Sequence, residues 1–306
     1  MRNFIYLFLV FFVLSYEAVA KVTVFACEPE WQNLAYIIAK DKIDITLGVS
    51  PTQNPKKIEI KPLIKRAGKA RMFFCSGDGL EDDWLMRLAS DSRNVKIIAD
   101  PKKNILFAYD VIAVDETTQS LGPRVHLNPY NILKIADEFT SRIKELDPVN
   151  AEFYQASYTE FAEKWQAKIV EWEDKVQVLK GKNFIAYDDS WKHLENWLQI
   201  KIMVHNQDYK ISQSKAVQLN EFAKKMRDYD IEAIIFASFE DKKDLLWLRD
   251  KLKKRMILLP FTVNGSANSS DLFKMFDATV DRLLTDCSSG ICKSLAPAKE
   301  MTVKFK

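Results

Sequence analysis

Few residues of this 306-residue chain have the types and spacing that do chemistry. The histidines are His126, His193 and His205, and no two of them are one helical turn apart. The cysteines are Cys27, Cys75, Cys287 and Cys292, and two adjacent aspartate pairs occur, Asp82-Asp83 and Asp188-Asp189. There is no HExxH, no nucleophile elbow and no cysteine–histidine pair in supporting context. Neighbouring residues of a helix do not face each other, so the adjacent carboxylates make poor acid–base partners. Ser76-Gly77-Asp78-Gly79 reads as a turn, too short and differently spaced for a phosphate loop. An enzyme is therefore not expected. Cys27 and Cys75 each end an apolar strand-like run, and Cys287 and Cys292 flank Ser288-Ser289-Gly290. Sequence-local pairing favours Cys27–Cys75 and Cys287–Cys292 among the three possible arrangements. A thiolate metal site would need two close cysteine pairs, which the spacing lacks.

The first twenty residues set the compartment. Arg2 precedes the unbroken apolar run Phe4–Leu14, and Ala18-Val19-Ala20 fits a small-residue cleavage site. The run is short for a bilayer span. A signal peptide over residues 1–20, cleaved after Ala20, is expected; the alternatives are an uncleaved anchor and a lipoprotein modified at Cys27. Export to the periplasm permits disulfides. The formal net charge of +3 is too small to argue for nucleic acid, and no block of like charge in the sequence suggests a membrane patch. After cleavage no membrane span remains, and a monomer is expected.

The elements that must position these residues alternate. Strands are expected at Val22–Ala26, Ile43–Val49, Arg71–Cys75 and Val95–Ile98, interleaved with helices at Trp31–Ala39, Ile64–Ala67 and Glu81–Ala89, and with a possible further strand at Leu106–Ala113. The pattern resumes with strands Phe184–Tyr187, Ile200–Val204, Ala233–Ala237 and Met256–Leu259 and helices Ser190–Leu198, Lys215–Arg227, Lys242–Lys254 and Asp271–Leu284. Between the halves runs one long helix, Asp147–Gly181, started by Asp147-Pro148 and stopped by Gly181. Tyr154, Tyr158, Phe161, Trp165, Ile169, Trp172, Val176 and Leu179 form a single apolar stripe along it. A helix of about 31 residues spans roughly 45 Å, more than one small domain needs. The expected fold is α/β: two parallel-sheet lobes, 21–146 and 182–306, joined by the backbone helix 147–181. Ligands of such sheets bind beyond the carboxyl ends of the strands, which makes an interlobe cleft of loops 27–31, 51–58, 76–80, 122–128, 188–191, 238–241 and 262–271.

Several of those loops carry a resemblance. FACEPEW at Phe25–Trp31, QNPKKIEIKP at Gln53–Pro62, GPRVHLNPYN at Gly122–Asn131, AYDDSW at Ala186–Trp191 and LPFTVNG at Leu259–Gly265 occur in the order found in the zinc- and manganese-type solute-binding proteins of ABC importers. From Val22 to about Leu284 the chain resembles that family. The resemblance implies a periplasmic component that hands zinc or manganese to an inner-membrane ABC permease.

The same resemblance implies a metal held mostly by histidines from three loops and by a carboxylate. Here the matching positions hold Lys56, Arg124 and Asp188, and the carboxylate position holds Asp271. Asp188 and Asp271 are the candidate metal ligands that remain. An arginine keeps its proton and cannot replace an imidazole. Lys56, Arg124, Asp188 and Asp271 balance in charge and are expected to form a salt-bridge cluster at the old metal position. His126 and Glu240 are further cleft candidates, although Glu240, Asp188 and Asp271 all sit where helices start and would serve as caps. His193, among Trp191, Leu194 and Trp197, reads as a packing residue, and His205 as a loop cap. The expected function is a solute-binding component with a degenerate or remodelled metal site. The alternative is a relative that binds a small anion or a protein partner and no metal.

Overall fold

The computed structural model describes residues 20–204, 215–240 and 242–285. Expectations that fall on His205, Asp241 and the Cys287–Cys292 pair lie outside the described residues. In the first lobe β1 (Val22–Ala26) leads to α1 (Pro29–Ala39), β2 (Ile43–Leu47), α2 (Ile64–Ala67) and β3 (Met72–Cys75). Three helices follow, α3 (Leu85–Asp91), α4 (Val95–Ala99) and α5 (Pro101–Asn104), then β4 (Ile105–Phe107). The strands form one parallel sheet in the order β2-β1-β3-β4. Two short helices, α6 (Ala108–Ile112) and α7 (Glu116–Gln119), precede α8 (Pro129–Leu146) and the long α9 (Ala151–Val176).

The second lobe repeats the plan. β5 (Asn183–Ala186), α10 (Lys192–Leu198), β6 (Lys201–Val204), α11 (Lys215–Met226), β7 (Ile231–Phe236), α12 (Lys242–Leu252), β8 (Arg255–Leu258) and α13 (Leu272–Leu284) follow in turn. The sheet order β6-β5-β7-β8 is the counterpart of the first, again parallel throughout. The two-lobed α/β architecture expected from the alternation is the one observed.

One expected strand is a helix. Val95–Ile98 is apolar enough for a strand, yet it forms α4 because Asn94 caps it, its side-chain oxygen accepting from the Ile97 amide. Arg93, at φ 52°, turns the chain out of α3 just before. The fourth strand is instead β4, only three residues long, which overlaps the start of the stretch Leu106–Ala113 read as a possible strand; the rest of that stretch turns into α6.

The long helix is the spine of both lobes. One buried cluster runs from Val24 and Trp31 in the first lobe through Phe161, Trp165 and Trp172 to Phe184 and Phe276 in the second. Trp165 stacks edge-on against Trp172, Phe273 and Phe276, and its indole N–H donates to the Pro129 carbonyl. Trp172 donates to Asp277 on α13. The helix therefore packs against α13 as well as against the first lobe. Its first turn is 3₁₀, over Pro148–Asn150, because the Asp147 side chain is occupied elsewhere: its carboxylate accepts from the buried Tyr154 hydroxyl and from the Asn150 amide. A hydrogen bond to a charged acceptor contributes about 1.5–3 kcal/mol, so Tyr154→Phe is expected to lower the unfolding free energy by about 2 kcal/mol in urea denaturation.

Candidate functional site

Each sheet reverses its strand order at one place, between β1 and β3 in the first lobe and between β5 and β7 in the second. Loops leaving the carboxyl ends there diverge and leave a crevice. Glu28 and Glu30 follow β1, Ser76 and Glu81 follow β3, Asp188 follows β5, and Glu240 follows β7. Arg124 and His126 come from the turn before α8, and Phe261 and Thr262 from the loop after β8. Strand order thus brings loops far apart in sequence to one interlobe point.

On the first lobe the sheet ends are tied by the disulfide Cys27–Cys75, as expected. Immediately beyond it lies a carboxylate pair. Glu28, Glu81 and the Cys27 sulfur place their donor atoms within 4.8 Å of one another. The sulfur is in the disulfide and offers no thiolate. Glu81 accepts from the amides of Ser76 and Gly77, both at 2.9 Å. Gly77 permits that turn: its φ is +87°, and a Cβ there would come within 3.1 Å of Phe107. Glu28 accepts through Oε2 from the Ser76 amide and hydroxyl, and the Ser76 oxygen receives the Trp31 indole N–H. Its other oxygen, Oε1, is buried without a partner of hydrogen-bonding geometry. Burial, then the adjacent Glu81, raise Glu28 well above the carboxylate range. Burial also raises Glu81, but its hydrogen bonds and Arg124 oppose the rise.

Arg124 is the cation of the site, 7% exposed. Burial lowers its pKa, and Glu30, Glu28, Glu81 and Asp188 oppose that shift. Its guanidinium stacks on Phe261, 4.6 Å from the ring centre, so the second lobe supplies an aromatic floor for it. Glu240, on the far side, is raised to about 8, first by burial and then by Asp188; Arg124 lowers it only in part. The Trp191 indole N–H also lowers it, though no bond of ordinary geometry joins the two and both Glu240 oxygens are buried unpartnered.

His126 and Glu30 lock the lobes together. The His126 Nε2–H donates to the Phe261 carbonyl at 2.8 Å, and Nδ1 faces Glu30 at 3.2 Å. The Thr262 hydroxyl donates to the other Glu30 oxygen. Burial lowers the His126 pKa, with Glu30 opposing. A cavity of about 20 Å³ remains between Glu28, Glu30, Arg124, Phe239, Phe261 and Thr262, room for about one water-sized occupant.

Of the residues read from the sequence, Arg124, His126, Asp188 and Glu240 converge here, whereas Lys56 and Asp271 do not. Lys56 is exposed, and the charge it influences is Asp78. Asp271 caps α13 through the Lys274 amide and pairs with the Lys274 ammonium. Besides Asp188, the carboxylates that act on Arg124 are Glu30, Glu28 and Glu81, which the sequence reading passed over. The signal for them was present: FACEPEW puts Glu28 and Glu30 directly after the first strand, at its carboxyl end. His193 is a fully satisfied neutral imidazole, donating to the Gly122 carbonyl and facing the Asn131 amide, with its pKa lowered to about 4 by burial.

Residues 24–285 match the family described as ZnuA, zinc-uptake complex component A, periplasmic. The chain belongs to that family. Its fold is that of a crystal structure of ZnuA, with a TM-score of 0.71 at 18% identity over 86% of this chain and 99% of the other. A Cd-bound periplasmic metal binding protein from candidatus liberibacter asiaticus is similar at TM-score 0.70 and 16% identity, covering 86% and 98%. In sequence the chain is 26% identical over 136 residues to the manganese-binding lipoprotein MntA of Halalkalibacterium halodurans. That match spans 44% of this chain and 43% of the relative, so it covers under half of the relative's length. No described helix is long and apolar enough to cross a membrane.

The donor set bears on a metal cargo directly. The free ring nitrogen of His126 faces Glu30, and that of His193 faces Asn131, so neither is aimed at the cavity. A fixed guanidinium lines it instead. This is a poor fit to an imidazole-ligated zinc site, which needs neutral nitrogen donors on the metal.

Proposed function

We propose that this protein is the periplasmic solute-binding component of an ABC import system of the zinc and manganese class, and that its interlobe site is remodelled. Family membership supports the transport role, and with it an inner-membrane permease as partner. The single observation that carries the remodelling is Arg124: a buried guanidinium stands among Glu28, Glu30, Glu81 and Asp188, where a divalent ion would otherwise be the counter-charge. A second cation at that point would be repelled, and an arginine cannot lose its proton to become a ligand. The arrangement positions and neutralises buried groups between the lobes, as a binding site does. Isothermal titration of the metal-stripped protein with zinc and with manganese tests this. No tight stoichiometric binding of either ion is expected; one-to-one binding of zinc or manganese at submicromolar affinity would overturn the remodelled site and leave the transport role standing.

A further inference from the structure

The end of the first lobe opposite the cleft carries an uncompensated basic surface. Lys61, Lys65, Arg66, Lys69 and Arg71 lie within eleven residues that contain no acid, and all five are exposed. Among the described residues none of them has a carboxylate at ion-pair distance. In the sequence they are interleaved with apolar residues, which hides the block. Folding separates the two sets, because Leu63, Ala67 and Ala70 turn inward and are buried. The segment is fastened to the start of α4, where the Asn94 side chain donates to the carbonyls of Ala67 and Ala70. That adds exposed Arg93 and Lys96, with Asp91 the one acid of the bordering stretch 89–98. Two apolar side chains protrude from the same short helix, Val95 at 72% exposure and Ile98 at 46%.

We propose that this end of the first lobe docks reversibly on an anionic phospholipid bilayer. Spread positive charge around protruding apolar side chains is what a bilayer surface recognises: the cations meet the headgroup phosphates while the apolar tips enter the boundary. The Arg71 amide donates to the Thr23 carbonyl, so the basic segment lies at the amino ends of the strands, away from the cleft loops. Docked this way, the cleft at the carboxyl ends of the strands faces the aqueous compartment, an orientation for capture; delivery to a permease requires release. The surface is independent of the interlobe site and of whatever that site holds.

The test is sedimentation of the exported protein with vesicles of phosphatidylcholine alone or of phosphatidylcholine with phosphatidylglycerol, at low and high salt. Binding is expected only to the anionic vesicles and is expected to fall with salt. At about 1 kcal/mol for each cation near the surface, the triple variant Lys65→Glu, Arg66→Glu, Lys69→Glu should bind at least a hundredfold more weakly, with an unchanged circular dichroism spectrum and melting temperature. Val95→Ser with Ile98→Ser should weaken binding by a smaller factor at every salt concentration. No partition into anionic vesicles at low salt, equal binding to both vesicle types, or undiminished binding of the triple variant would each overturn the proposal. Charge-dependent retention on immobilised polyglutamate without vesicle binding would assign the surface to an acidic protein face and overturn it too.

Discussion

Replacing Arg124 by alanine is expected to lower the unfolding free energy at pH 7.5 by about 3–5 kcal/mol, the usual cost of removing one partner from a buried charge cluster. Glu30, Glu28, Glu81 and Asp188 all act on this guanidinium, and all but Asp188 are almost wholly buried. With the cation gone, the carboxylates that stay ionised are left in a medium that solvates them poorly. The loss should shrink as the pH falls toward 5, because protonation then removes the charge that Arg124 neutralised. It should also shrink when a divalent cation is added. An ion at a hundred times its dissociation constant stabilises the fold by about 2.7 kcal/mol, so urea titrations of Arg124→Ala with and without manganese should separate while those of the parent protein coincide. If Arg124→Ala unfolds at the same urea concentration as the parent, the guanidinium is not compensating buried charge and the reading of the site fails.

The architecture was legible because it depends on local patterns. Short apolar strands between amphipathic helices give two parallel sheets, and the stripe from Tyr154 to Leu179 gives the spine. Where the reading slipped, a local polar group overrode apolar content: Asn94 converts the run after it from strand to helix by capping it. The site was only half legible, for a different reason. Matching loops locates the backbone and does not aim side chains. Lys56 and Asp271 lie in matching loops, yet Lys56 points to solvent and Asp271 is consumed by the first turn of α13. Glu28, Glu30 and Glu81 were passed over because singly each looks like a residue at a helix start. Only the strand order, which places the reversal between β1 and β3, shows that their loops share one crevice.

That geometry also bears on how freely the lobes move. Glu30 of the first lobe accepts from the Thr262 hydroxyl of the second, and His126 of the first lobe donates to the Phe261 carbonyl of the second. Asn33 on α1 accepts from the Leu272 amide at the head of α13. With the spine helix packed against both sides, opening the cleft means breaking these bonds in a region where water replaces them poorly. A buried polar network of this kind favours one interlobe arrangement over a continuum of hinge angles.

Glu240 supplies the second large effect, and its sign is opposite. Its folded pKa of about 8 lies above the ordinary 4.5, so the fold favours the protonated acid. The stability it contributes is fully present below about pH 4.5 and is lost as the pH rises through 8. A rise from 4.5 to about 8 corresponds to roughly 4–5 kcal/mol at the alkaline limit. Glutamine keeps the shape of the neutral acid and cannot ionise. Glu240→Gln is therefore expected to match the parent within about 1 kcal/mol at pH 5 and to exceed it by several kcal/mol at pH 9, measured as the difference in urea unfolding free energy. The difference isolates this group. Glu28 titrates in both proteins, and so do His126 and His193, whose lowered values cost stability only as the pH falls below about 6.5. Asp188, the charge that helps raise Glu240, provides the cross-check: in an Asp188→Asn background the alkaline gain from Glu240→Gln should be smaller, because burial alone then opposes ionisation. A pH-independent difference between Glu240→Gln and the parent would mean that Glu240 reaches solvent and takes no part in the cluster.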